Sequence, residues 1–179
     1  MQFEKVSMGQ WTLANQNRDI LGDQLVKEYD DIKLPVRKTK YSAGYDFFLP
    51  YDISVKAGVT YKVPTGIKCE LDKGMIYTDL MDMEIEARYF LALYPRSSYG
   101  FKYGFTLNNT TGIIDADYYN NPDNEGHIFV AFTTDKDVEL HKGDSFCQGI
   151  IQSYNIVDDD ESTEERVGGI GSTGKWRSI

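Results

Sequence analysis

From Ile32 to Tyr154 the chain alternates short apolar runs with turn residues. Pro35, Gly44, Pro50, Gly58, Pro64 and Gly66 interrupt it at the spacing of an antiparallel all-β domain. The pattern predicts two strands around Gly58 between Val55 and Ile67, with Val63-Pro64-Thr65-Gly66 as a turn. It predicts further strands over Arg88 to Tyr94 (ending at Pro95), over His127 to Phe132, and after the Gly143-Asp144 turn. A helical period occurs once: Ile20, Leu21, Leu25, Val26 and Tyr29 share one face of Asp19 to Tyr29, giving a short amphipathic helix that must pack on the body or on a partner. The organisation is therefore an N-terminal appendage (1–34), a β domain (35–157), and an acidic linker with a Gly-rich C-terminal arm (158–179). The acidic, Met-rich stretch Asp72 to Glu86 reads as an inserted hairpin or extended loop.

Composition narrows the function classes. The 179 residues suit one domain with a real core, and 13% aromatics favour β structure. A net charge of −9 argues against general binding to a phosphate backbone, so no direct nucleic-acid partner is expected. It leaves room for a nucleotide site, because a few local Arg and Lys suffice. Cys69 and Cys147 lie in apolar runs and read as small buried hydrophobes. With no membrane-length apolar run and no signal peptide, the expectation is a cytoplasmic protein with no membrane partner.

The candidate chemistry centres on Gly112-Ile113-Ile114-Asp115-Ala116-Asp117-Tyr118. Ile113 and Ile114 favour a strand, and Asn108, Asn109 and Gly112 suit a tight turn with positive φ. Such a hairpin offers a planar ligand backbone donors and acceptors, one carboxylate and one aromatic face; it also reads as an Asp-rich surface turn. Pro95-Arg96-Ser97-Ser98 offers a forked cation and two hydroxyls to a phosphate, or is an ordinary polar turn. Gln148 is a polar residue in an apolar run, either held by a fixed partner or facing solvent. Gly169 to Gly174 formally matches G-x-G-x-x-G, but no βαβ unit surrounds it, so it reads as an arm able to wrap phosphate.

In order and near the usual spacing, five segments resemble the motifs of the trimeric dUTPase family: Ala43-Gly44-Tyr45-Asp46, Pro95-Arg96-Ser97-Ser98, Gly112 to Tyr118, Gly143 to Gln148, and Gly168 to Gly174. The resemblance implies a jelly-roll β-sandwich, a homotrimer with sites shared between subunits, and Mg²⁺-dependent hydrolysis of dUTP to dUMP and pyrophosphate. It implies Asp115 as general base, Tyr118 beneath the deoxyribose, and Asn109, Gly112, Ile113 and Ile114 reading the uracil edge. Arg96, Ser97, Ser98 and Gln148 would hold the phosphates, with Arg166, Ile170, Gly171, Ser172 and Thr173 closing from a neighbouring subunit. Mg²⁺ would be carried by the triphosphate and water, without a direct protein ligand, with Asp46 as an outer-shell candidate. Ile170 stands where the family usually has a stacking Phe, and Ser98 where it commonly has Gly.

Two alternatives remain. The related dCTP deaminases need a glutamate at the position that Ala131 occupies here. A dUTPase-like regulator would engage a protein partner through the insertion, with nucleotide as the switch.

Overall fold

The computed structural model describes residues 1–78, 84–163 and Gly168. The elements in chain order are β1 (Gln2–Lys5), α1 (Met8–Ala14), α2 (Gly22–Asp30), β2 (Tyr45–Phe48), β3 (Ile53–Val55), β4 (Tyr61–Pro64), β5 (Ile67–Glu70), β6 (Met75–Thr78) and β7 (Glu84–Pro95). They continue with α3 (Ser97–Tyr103), β8 (Thr106–Leu107), β9 (Gly112–Ile114), a 3₁₀ turn (Ala116–Tyr118), β10 (Phe129–Thr133), β11 (Val138–Leu140) and β12 (Ser145–Tyr154). The chain is mostly β, in keeping with the expected jelly roll.

The largest sheet runs β2-β12-β7-β6, with β9 added on β7; β4-β10-β8 forms a second, and β1-β5 and β11-β3 pair separately. Every one of these pairings is antiparallel. The alternation explains the layering. In β7, Leu91 and Leu93 face a core shared with Phe47, Phe146, Val63, Val130 and Phe132. Phe132 stacks on Phe105 at 4.3 Å between ring centres and meets Phe146 edge-on, tying the two larger sheets together. Gly149 lies where Leu91 and Phe47 leave no room for a Cβ, so β2, β12 and β7 pack closely there. No helix among the described residues is long and apolar enough to cross a membrane.

The N-terminal residues are woven into the body instead of hanging from it as an appendage. β1 pairs with β5 from Gln2↔Glu70 to Lys5↔Ile67, and Val6 and Trp11 are core residues. The expected helix is α2, which begins three residues later than the periodicity suggests; α1 and α3 are additional. Within the Asp72–Glu86 stretch, β6 pairs antiparallel with the start of β7, from Met75↔Ala87 to Thr78↔Glu84. Because β12 pairs with β7 only from Arg88 onward, this pair of strands extends past the main sheet. Both thiols are buried and unbridged, and burial pushes Cys69 up to about 12 and Cys147 further still.

Candidate active site

The strand β7 carries chemistry midway along its length and at its C-terminal end. At its middle, β9 pairs Gly112 with Leu93 and Ile114 with Leu91. Gly112 packs tightly: an added Cβ would meet three Leu93 side-chain atoms at 3.1–3.3 Å, so Leu93 would have to shift by a few tenths of an ångström. The left-handed residue of the hairpin turn is Thr110, at φ 62°, and not Asn108, Asn109 or Gly112 as the residue types suggested. The turn is closed by Thr110 N–H donating to the Leu107 carbonyl at 3.0 Å.

Between this hairpin and β10 lies a small cavity of ≈ 80 Å³ lined by Asn109, Gly112, Ile113 and Ile114, together with Leu93, Leu107 and Phe129 to Ala131. The four residues expected to read a base edge therefore share one cavity. Sequence reasoning did not name Leu93, Leu107, Phe129 or Val130 as lining this cavity; they come to it through the pairing of β9 with β7 and of β10 with β8.

Directly after β9, Asp115 has extended backbone (φ −77°, ψ 158°) and caps the 3₁₀ turn, where Tyr118 N–H donates to the Asp115 carbonyl at 3.1 Å. Asp115 is half-buried and lines a cavity of ≈ 420 Å³ with Asp72, Lys73, Arg88, Asp117 and Tyr154. Tyr118 is only 3% exposed; its hydroxyl donates to the His127 carbonyl at 2.9 Å and accepts from Asn124 Nδ2 at 2.8 Å. Its ring is thus a core element of the hairpin base, and a sugar could rest only against its residual edge.

The C-terminal end of β7 is charged. Arg96 N–H donates to the Phe146 carbonyl at 3.4 Å, and the residue caps α3, whose first turn exposes Ser97 and Ser98. Asp46, 6% exposed on β2, accepts from Arg96 Nη1 at 3.1 Å and Ser145 Oγ at 3.2 Å, with Lys38 Nζ at 3.3 Å. Gln148 does have a fixed partner: its Nε2 donates to the Pro95 carbonyl at 3.3 Å, while its Oε1 crowds the face of Gly44, leaving no room for a Cβ. Motif residues far apart in sequence thus gather at one place. Lys38 was not anticipated; the basic run Arg37-Lys38 ahead of Ala43-Gly44 was its only signal.

As a metal centre, this end provides one carboxylate already held by two cations. Among the described residues no three His, Cys, Asp or Glu side chains come together as a ligand set. Such a donor set suits a magnesium ion that arrives on phosphate oxygens and water more than one bound by the protein alone. Arg166, Ile170, Gly171, Ser172 and Thr173 lie outside the described residues.

The two regions do not meet within one chain. Asp115 follows Ile114, which is opposite Leu91, so it lies level with Phe90. From there to Arg96 an extended strand spans roughly 20 Å, longer than a triphosphate from its α- to its γ-phosphorus.

Known proteins resemble this chain in sequence and fold. The sequence model of the dUTPase family matches residues 30–174. A deoxyuridine 5'-triphosphate nucleotidohydrolase of Lactococcus lactis is 39% identical over 161 residues, covering 87% of this chain and 98% of the relative. One from Haemophilus ducreyi is 34% identical, covering 87% and 94%. Among solved structures, a dUTPase from Streptococcus mutans superposes with a TM-score of 0.61 at 32% identity, covering 88% of this chain and 99% of that one. With the hairpin, its cavity and the charged cluster falling within the matched span, this chain belongs to the dUTPase family.

Proposed function

We propose that the protein hydrolyses dUTP to dUMP and pyrophosphate in the cytoplasm, as a homotrimer whose sites are shared between subunits. The observation that carries the reading is the β8–β9 hairpin, which lines a single-ring cavity and runs straight into Asp115. The cavity offers backbone groups and the Asn109 amide to a uracil edge, with apolar walls around the ring. Asp115 takes a proton from a water, whose oxygen attacks the α-phosphorus as the bridging P–O bond to pyrophosphate breaks. A carboxylate held by a short capped turn is suited to that role. Arg96, Ser97, Ser98 and Gln148 hold the phosphate chain, and Arg166, Ile170, Gly171, Ser172 and Thr173 close over it. Tyr118 supports the sugar from below.

Asp46 is the residue that would hold a water of a triphosphate-bound magnesium ion, which would supply charge neutralisation for the leaving group. Sharing follows from the roughly 20 Å between the two regions of β7: the Asp115 region of one subunit needs the Arg96 region of another. The deaminase alternative is disfavoured because Ala131 lines the base cavity, where its methyl group has no means to activate water.

The test is pyrophosphate release with Mg²⁺ from dUTP, dTTP, dCTP and UTP in parallel, beside Asp115→Asn. Turnover of dUTP alone, lost in the variant, is expected. No release by the folded wild-type trimer would sink the hydrolase reading.

One observation favours an added regulatory role. The β6–β7 pair projects past the main sheet, and its root residues Asp72, Lys73 and Arg88 line the Asp115 cavity. A protein partner gripping those strands would sense the occupied site. Capture of such a partner should fail when residues 72–86 are deleted and should change with bound nucleotide.

A further inference from the structure

The segment ahead of the family match makes its contacts where the chain follows Asp115. From Tyr118 to His127 the backbone folds into a tight loop. Asn120, Glu125 and Gly126 take φ of 55°, 58° and 78°, and a Cβ at Gly126 would strike the Tyr118 carbonyl at 2.6 Å. For Glu125 this left-handed geometry is strained and persists because other contacts hold it. Within the loop, Asn121 Nδ2 donates to the Tyr118 carbonyl and Asn124 Nδ2 to the Tyr118 hydroxyl, both at 2.8 Å.

Lys68 holds Asn120, its Nζ donating to Asn120 Oδ1 at 2.6 Å, and further contacts to the loop come from residues 4–10, outside the family match, which begins at residue 30. Glu125 accepts from Ser7 N–H at 2.8 Å and from Ser7 Oγ at 2.5 Å. Tyr119 donates its hydroxyl to Glu4 at 2.8 Å. Gln10 meets His127 Nδ1 at 3.5 Å, while Gly66 N–H donates to His127 Nε2 at 2.8 Å. Ser7 is itself the cap of α1, its hydroxyl accepting from Gln10 N–H at 3.1 Å. In a Ser-x-x-Gln capping box the Gln side chain returns to the Ser N–H; here the Glu125 carboxylate occupies that N–H instead. The helix start and the strained loop are thus joined through one residue pair.

We propose that residues 2–15 form a strap that positions Asp115 and Tyr118, with Glu125 as its principal positioning residue. The strap pulls on the far end of the loop, Tyr118 transmits that hold through its hydroxyl, and the single turn from Asp115 to Tyr118 passes it to the base. The proposal rests on the hydrolase reading for its effect on turnover, and on the loop itself for its structural part.

Three variants separate positioning from folding. Glu125→Ala removes both Ser7 contacts. Ser7→Asp keeps an acceptor for the α1 cap but sets carboxylate against carboxylate. Combining Ser7→Asp with Glu125→Gln restores a donor–acceptor pair. Each full-length trimer is assayed well below its melting temperature for kcat and KM with dUTP, and for amide exchange at residues 115–119. Either single substitution should lower kcat about tenfold with KM little changed, and should speed exchange at 115–119; the double variant should recover both. Unchanged kcat and exchange in folded Glu125→Ala, or a double variant no better than Ser7→Asp, overturns the strap. Absence of turnover in the wild type strikes the hydrolase reading instead, and exchange at 115–119 then decides the strap by itself.

Discussion

In the proposed reaction, the Asp115 region midway along β7 and the Arg96 region at its C-terminal end would recognise ligand by different means. At the Asp115 end, the cavity is made of strand backbone and packed Leu, Ile, Val and Phe, and its selectivity lies in shape. At the Arg96 end, the groups are ion-paired side chains, with Asp46 holding Arg96 and Lys38 in advance of any phosphate. A base edge is rigid and nearly neutral, so a preformed apolar slot reads it. A triphosphate is charged and flexible, so cations parked on a carboxylate keep the site oriented without leaving like charges unopposed. The difference teaches that this fold separates shape recognition from charge recognition along a single strand.

The comparison can be broken at either end. The largest effect is expected for Asp115→Asn, which should lower pyrophosphate release about a thousandfold while leaving affinity for a non-hydrolysable dUTP analogue nearly intact. Loss of that affinity as well would mean that Asp115 belongs to binding. Arg96→Ala comes next: by removing charge-assisted contacts it should raise KM for dUTP by about a hundredfold, yet leave deoxyuridine binding, measured calorimetrically, unchanged.

Acid should act on one end only. Burial pushes His127 down to about 4, and its carbonyl accepts from Tyr118. Because the folded-state value is lowered, the stabilising contribution is complete above the unfolded value near 6.5 and is lost as pH falls from there towards 4. Between pH 7 and pH 5 this amounts to about 2 kcal/mol, readable as a shift in urea midpoint that His127→Gln should flatten. The smallest effect is expected for Gly112→Ala. Its methyl presses on Leu93 and should weaken deoxyuridine binding only a few-fold, about 1 kcal/mol, with pyrophosphate affinity unaltered.

Much of this organisation was legible in the chain. The β9 strand and the turn at Gly143 (φ 86°) follow from local residue chemistry, whereas Gln148 read equally as partnered or solvent-facing until the Pro95 carbonyl was placed beside it. What local chemistry could not give was partnership. β1 has only four residues and becomes a strand because β5 accepts it. α1 has seven residues, too short to show a helical period, although Ser7-x-x-Gln10 was a start signal that went unread. α3 follows Arg96 and ends at left-handed Gly104, whose side is crowded by Asp135, a contact no periodicity reveals. The positive φ falls on Thr110, while Gly112 packs against Leu93. Tyr118 had been read as a platform for the sugar and proved to be mostly core, since its hydroxyl is satisfied by the loop it closes.

The distance between the two regions of β7 also has a genetic consequence. If the proposed trimer shares its sites, a chain lacking Asp115 would still lend Arg96 to a neighbour, and a chain lacking Arg96 would still lend Asp115. Two alleles, each null when alone, would therefore rescue one another when co-expressed. Random assembly of equal amounts leaves about one site in four intact, because closed cyclic symmetry draws each half-site from a different subunit. Dominance, in such a protein, is set by the length of a strand.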